Sequence, residues 1–154
     1  MEQIQKWKAA ITGLLGGLTA LWGWFGWLVA GWAACMLLDY LTGSLAAAKA
    51  GSWSSQAARE GIWHKAGMVA VVLVAAGTDL LLALVLEHLP VAALPLEYRG
   101  LICPLVLVWY CLTELGSVVE NAVDMGAPCP GWLTRMLAAG RDAVDESAEQ
   151  KRPG

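Results

Sequence analysis

The sequence predicts an all-α integral membrane protein with three transmembrane helices, an N-terminal amphipathic or interfacial segment and a short C-terminal amphipathic helix. Three observations lead to this class. Residues 9–38, 66–78, 80–86 and 100–113 carry no Asp, Glu, Lys or Arg, and single acids, Asp39, Asp79 and Glu114, interrupt the runs. The 154 residues are 58% hydrophobic and 15% charged, whereas a soluble domain carries about a quarter charged residues. Nine tryptophans, clustered at Trp22, Trp24, Trp27 and Trp32, suit the headgroup level of a bilayer.

The elements follow in order. Residues 1–21 repeat Ile4, Trp7, Ile11, Leu14, Leu15, Leu18 and Leu21 at helical spacing. This is either an interfacial helix or the first part of a tilted span. The uncharged run is far longer than the ~7–15 apolar residues of a signal sequence, so the segment reads as retained. The tryptophans place membrane entry at 22–27 and the first span at about 22–48. A rival register, with the span at 17–38, would put Asp39 at its end. Ser54 or Ser55 is a plausible N-cap for a second helix. Its span covers 62–87, with Arg59, Glu60 and Lys65 at the interface and Asp79 inside. Pro90 and Pro95 bracket a loop over 88–99.

The third span covers 100–122, with Pro104 tolerated in its first turn. Its uncharged part rises only about 21 Å, short of the roughly 30 Å of hydrocarbon. Glu114 therefore enters the membrane or neighbouring helices supplement the span. Trp132, Leu133, Met136, Leu137 and Val144 suggest the C-terminal amphipathic helix. The chain thus divides into an N-terminal segment 1–21, a transmembrane domain 22–126, and a cytoplasmic helix with polar tail 127–154. Lys49, Arg59, Lys65, Arg135 and Arg141 outweigh Lys6, Lys8 and Arg99, which puts the first connection and the C-terminus in the cytoplasm.

Several functions are excluded or disfavoured. A net charge of −3 offers no basic surface, so no nucleic-acid partner is expected. Cys35, Cys103, Cys111 and Cys129 lack metal spacing and read as small apolar packing residues. His64 and His88 have no partner at ligand spacing. No nucleophile–base set is present, so neither catalysis, cofactor nor metal is expected.

The third helix carries the most specific pattern. Tyr110, Thr113, Glu114, Ser117, Glu120, Asn121 and Asp124 fall within an arc of about 120°. Either only Glu114 is deep and the later acids are interfacial, or the stripe lines a water path in an oligomer. On the first helix Gly31, Cys35, Asp39 and Gly43 recur every four residues, and small residues there permit close helix approach. Each span holds one acid, and the pattern shows no Lys or Arg inside the membrane to pair with it. The acids are then either neutral hydrogen-bonders, groups ionised when an assembly opens, or an ion relay. Candidate polar contacts are Asp39, Asp79, Glu114, Ser117, Glu120 and Asn121. Candidate packing positions are Gly31, Cys35 and Gly43.

Three segments carry a resemblance. Asp39-Tyr40-Leu41-Thr42-Gly43, with Ala46, Ala47 and Lys49, resembles the D-Y-x-T-G signature of the toxin-secretion/phage-lysis holin family. Ser54-Ser55, then Gly61 and Lys65, resemble its S-S…G-x-x-x-K segment. Glu114 to Asn121, followed by Gly126, Pro128 and Pro130, resembles its E-x-x-S-I-x-E-N…G-x-P-x-P ending. The likeness covers roughly residues 30–140 in order. The long Gly/Trp-rich N-terminus and Val118-Val119 depart from the pattern.

The resemblance implies a small phage-encoded, multi-pass protein of the bacterial inner membrane. Such a protein assembles with itself into lesions that release a peptidoglycan hydrolase (endolysin) or a toxin. Its partners would be the lipid bilayer, further copies of itself and that enzyme. A small channel or transporter, or a scaffold subunit of a membrane complex, is the competing class.

Overall fold

The computed structural model describes residues 2–88 and 100–149. Within them lie four helices and no strand: α1 (Glu2–Lys49), α2 (Ser55–His88), α3 (Ile102–Asp124) and α4 (Gly131–Glu149). The Pro90–Pro95 loop and the tail from 150 onward lie outside the described residues. Three stretches are long and apolar enough to cross a membrane: Gly23–Lys49, Ser55–His88 and Ile102–Asp124. The protein is a multi-pass membrane protein.

α1 is interrupted at Gly23, whose φ of 56° and ψ of −144° leave the helical region. Glycine reaches that conformation without Cβ strain. The break separates the N-terminal segment, where Ile4, Trp7 and Ile11 are exposed, from the spanning part. α2 starts with a side-chain cap, since the Ala57 N–H donates to Ser54 Oγ at 3.1 Å.

α1 and α3 run parallel and share the largest interface; α2 runs back between their ends and touches α1 least. The core is small. Trp32, Met68, Val72, Ala75, Cys103 and Leu107 are its buried hydrophobic residues, with Leu107 at 0% exposure. Trp32 stacks on Tyr110, their rings 6.1 Å apart, which aligns α1 with α3. Leu37, Leu41 and Leu45 of α1 and Leu73, Val74, Leu80 and Leu81 of α2 stay exposed, as a lipid-facing surface requires.

α3 is held at both ends by side chains from its neighbours. Its N-cap position, Leu101, supplies no side-chain cap. Asp79 of α2 substitutes, accepting from the backbone N–H of Leu101 at 3.3 Å, Ile102 at 3.0 Å and Cys103 at 2.8 Å. At the other end Lys49 Nζ of α1 donates to the Met125 carbonyl. An acid at the N-terminus and a cation at the C-terminus both match the helix dipole and satisfy orphan backbone groups. Gly126, at φ 92°, then turns the chain toward α4.

α4 folds back along α3. A Cβ on Gly140 would meet Leu112 Cδ1 at 3.1 Å, and Trp109 Nε1 donates to Asp145 Oδ2 at 3.2 Å.

Candidate functional site

The acids of α1 and α3 converge on one cation. Lys65 Nζ of α2 donates to Asp39 Oδ2 at 2.9 Å and to Glu114 Oε2. Asn121 Nδ2 of α3 donates to Asp39 Oδ1 and to Thr42 Oγ1, each at 3.2 Å. All three spans therefore meet in a single polar cluster. Glu114 lies at the middle of α3 and is 4% exposed.

Helical periodicity explains the convergence. Glu114, Ser117 and Asn121 lie three and four residues apart, so they share the α3 face turned to α1 and α2. Asp39 and Gly43 share one face of α1 in the same way. Gly43 has no side chain, and a Cβ there would meet Asn121 Nδ2 at 3.4 Å. The glycine lets the amide reach Asp39.

The expectation that no Lys or Arg pairs with the membrane acids is corrected by Lys65. Its position at the start of an uncharged run read as interfacial. The ammonium reaches inward because two carboxylates sit opposite it, and a charge facing lipid costs about 2.5–3.5 kcal/mol. The available signal was chemical: acids on neighbouring spans call for a cation, and Lys65 stands one turn after the small residue Gly61.

The charges do not balance. Two carboxylates around one ammonium leave a negative charge when both are ionised. Water reaching the cluster would screen that excess. A cleft of about 190 Å³ between α1 and α2 supplies the route for water, lined by Asp39, Gly43, Ala47, Ala57, Gly61 and Lys65. It extends past Trp53 and Ser54 at the connection between the two helices. From Lys49 the cluster lies about ten helical rises, some 15 Å, into the span.

The other candidates fall elsewhere. Asp79 is buried within α2, level with the start of α3, which it caps. Ser117 is half-buried between Glu114 and Asn121, while Glu120 and Asp124 are exposed. Cys35 is half-buried. Gly31 is exposed, with nothing within 4 Å of where a Cβ would sit. Among the described residues no group of three or more His, Cys, Asp or Glu is arranged to hold a metal ion.

The family model described as the bacteriophage holin family matches residues 16–142. The chain belongs to the bacteriophage holin family. A relative, an uncharacterised protein of Halalkalibacterium halodurans, is 30% identical over 138 residues, covering 90% of this chain and 94% of the relative. No solved structure matches. In this holin-family protein, Asp39, Lys65, Glu114 and Asn121 lie in the matched region, as do α4 residues up to Asp142.

Proposed function

We propose that this holin-family protein assembles in the bacterial inner membrane and opens lesions through which a peptidoglycan hydrolase reaches the cell wall. It acts without catalysis. The observation that supports this most is how the bundle closes: one ammonium, Lys65 of α2, holds acids of α1 and α3 beside an open cleft between α1 and α2. Polar groups of this kind can exchange an internal partner for water or for another copy at modest cost. Apolar packing offers no such exchange. With Lys65 drawn into the cluster, Lys49 and Arg59 remain at the α1–α2 connection and support placing it on the cytoplasmic side.

The reading is tested by expression alone and with a hydrolase. Expression alone should collapse the membrane potential and stop growth. Co-expression with a cytoplasmic peptidoglycan hydrolase should convert arrest into lysis. Cells that keep their potential at full expression would sink the lesion reading and favour a scaffold role.

A further inference from the structure

We propose that α4 lines the lesion: docked along α3, it turns a charged face to the water that several copies enclose. This rests on the lesion reading and names the lining of the opening.

Position is the first support. Gly140 lies against Leu112, Asp145 accepts from Trp109 Nε1, and Val144 and Ala148 border a groove with Leu105 and Val106. α4 therefore runs beside α3 to within a turn of its start, at the height of a membrane span and not beyond it in the cytoplasm as the sequence suggested. Its 19 residues rise about 28 Å, close to the roughly 30 Å of hydrocarbon.

The second support is that the deep part of the polar arc of α3 is engaged inside the chain while the bundle is closed. Tyr110 stacks on Trp32, Glu114 binds Lys65, and Asn121 binds Asp39. In the closed bundle these three side chains face neighbouring helices, while Glu120 and Asp124 at the end of the arc are exposed.

The third support is how α4 sorts its residues. Leu133, Leu137, Gly140 and Val144 are half-buried on one side, where Gly140 meets α3. Trp132, Met136 and Ala143 form a narrow exposed apolar strip. Arg135, Asp142, Asp145 and Glu146 are exposed within an arc of about 100°. A charged face beside a membrane span is unstable against lipid and stable against water. A lone copy offers only lipid there, so the docked helix belongs to the assembled state. Asp142 and Glu146 outnumber Arg135 even without Asp145, which Trp109 of α3 engages, so a narrow opening lined by α4 favours cations.

The test uses the full-length chain in vesicles of anionic phospholipid, with dye leak followed alongside spin labels at single introduced cysteines. The native cysteines are replaced by alanine. Labels at Trp132→Cys, Met136→Cys and Ala143→Cys should show depths that change along the helix, with contact to oxygen in the lipid. Labels at Asp142→Cys and Glu146→Cys should meet a water-soluble relaxation agent. A second measurement keeps the native cysteines: the double variant Asp142→Lys, Glu146→Lys should move the small-opening reversal potential toward anion preference. Leak with all labels at one depth, or all in water, or with unchanged ion preference, overturns the lining role and leaves the lesion reading standing. No leak at any protein density overturns both.

Discussion

The Lys65 ammonium of α2 lies 2.9 Å from the Asp39 carboxylate of α1, joining two helices that also share the apolar cluster of Trp32, Met68 and Val72. The same ammonium reaches Glu114 of α3, so one side chain ties all three spans. The following predictions start from that arrangement.

Lys65→Met should be the most disruptive single change in the cluster. It leaves Asp39 and Glu114 without a cation, and breaking a buried pair costs about 3–5 kcal/mol. The loss should sit near the lower end, because Asp39 opens to the cleft. Unfolding midpoints in mixed micelles would measure it. The double variant Lys65→Met, Glu114→Leu should recover part of the loss; no recovery would mean that the pair does not hold the helices.

Glu114→Gln should preserve insertion and delay lysis. The substitution leaves Lys65 and Asp39 as a balanced pair and removes the excess negative charge from the closed bundle. Time from induction to the fall in culture turbidity reports the effect. Wild-type timing for Gln, with altered timing for Glu114→Leu, would assign Glu114 a purely structural hydrogen-bonding role.

Asp79→Ala should loosen the start of α3. Losing a side-chain cap costs about 1–2 kcal/mol, and three backbone N–H groups lose their acceptor here. Asp79→Asn keeps one acceptor oxygen and should lose less. Amide hydrogen exchange at Leu101, Ile102 and Cys103 should accelerate most in Ala, then Asn.

Gly43→Leu and Gly31→Leu should separate packing within one copy from packing between copies. A side chain at Gly43 meets Asn121, so overpacking should cost about 1–3 kcal/mol in the isolated bundle. Gly31 has open space, so its leucine variant should fold normally. Crosslinking in membranes then reports on the Gly31 face alone. Fewer oligomers place that face between copies, and unchanged oligomers place it against lipid.

The sequence alone determined the features set by local repetition and by bilayer thickness. The uncharged runs indicated three spans, Ser54 emerged as one of two candidate caps, and 100° per residue put Glu114, Ser117 and Asn121 on one face of α3. These inferences need only neighbours in the chain. The partners of that face depend on how α1, α2 and α3 slide past one another. That register is set by contacts distant in sequence: Trp32 on Tyr110, and Gly43 making room for Asn121. Only the tertiary structure therefore brought Lys65 between Asp39 and Glu114, and showed that Asp79, within its own span, caps another helix. It also laid α4 against α3, because an amphipathic pattern specifies a face to be covered without specifying what covers it.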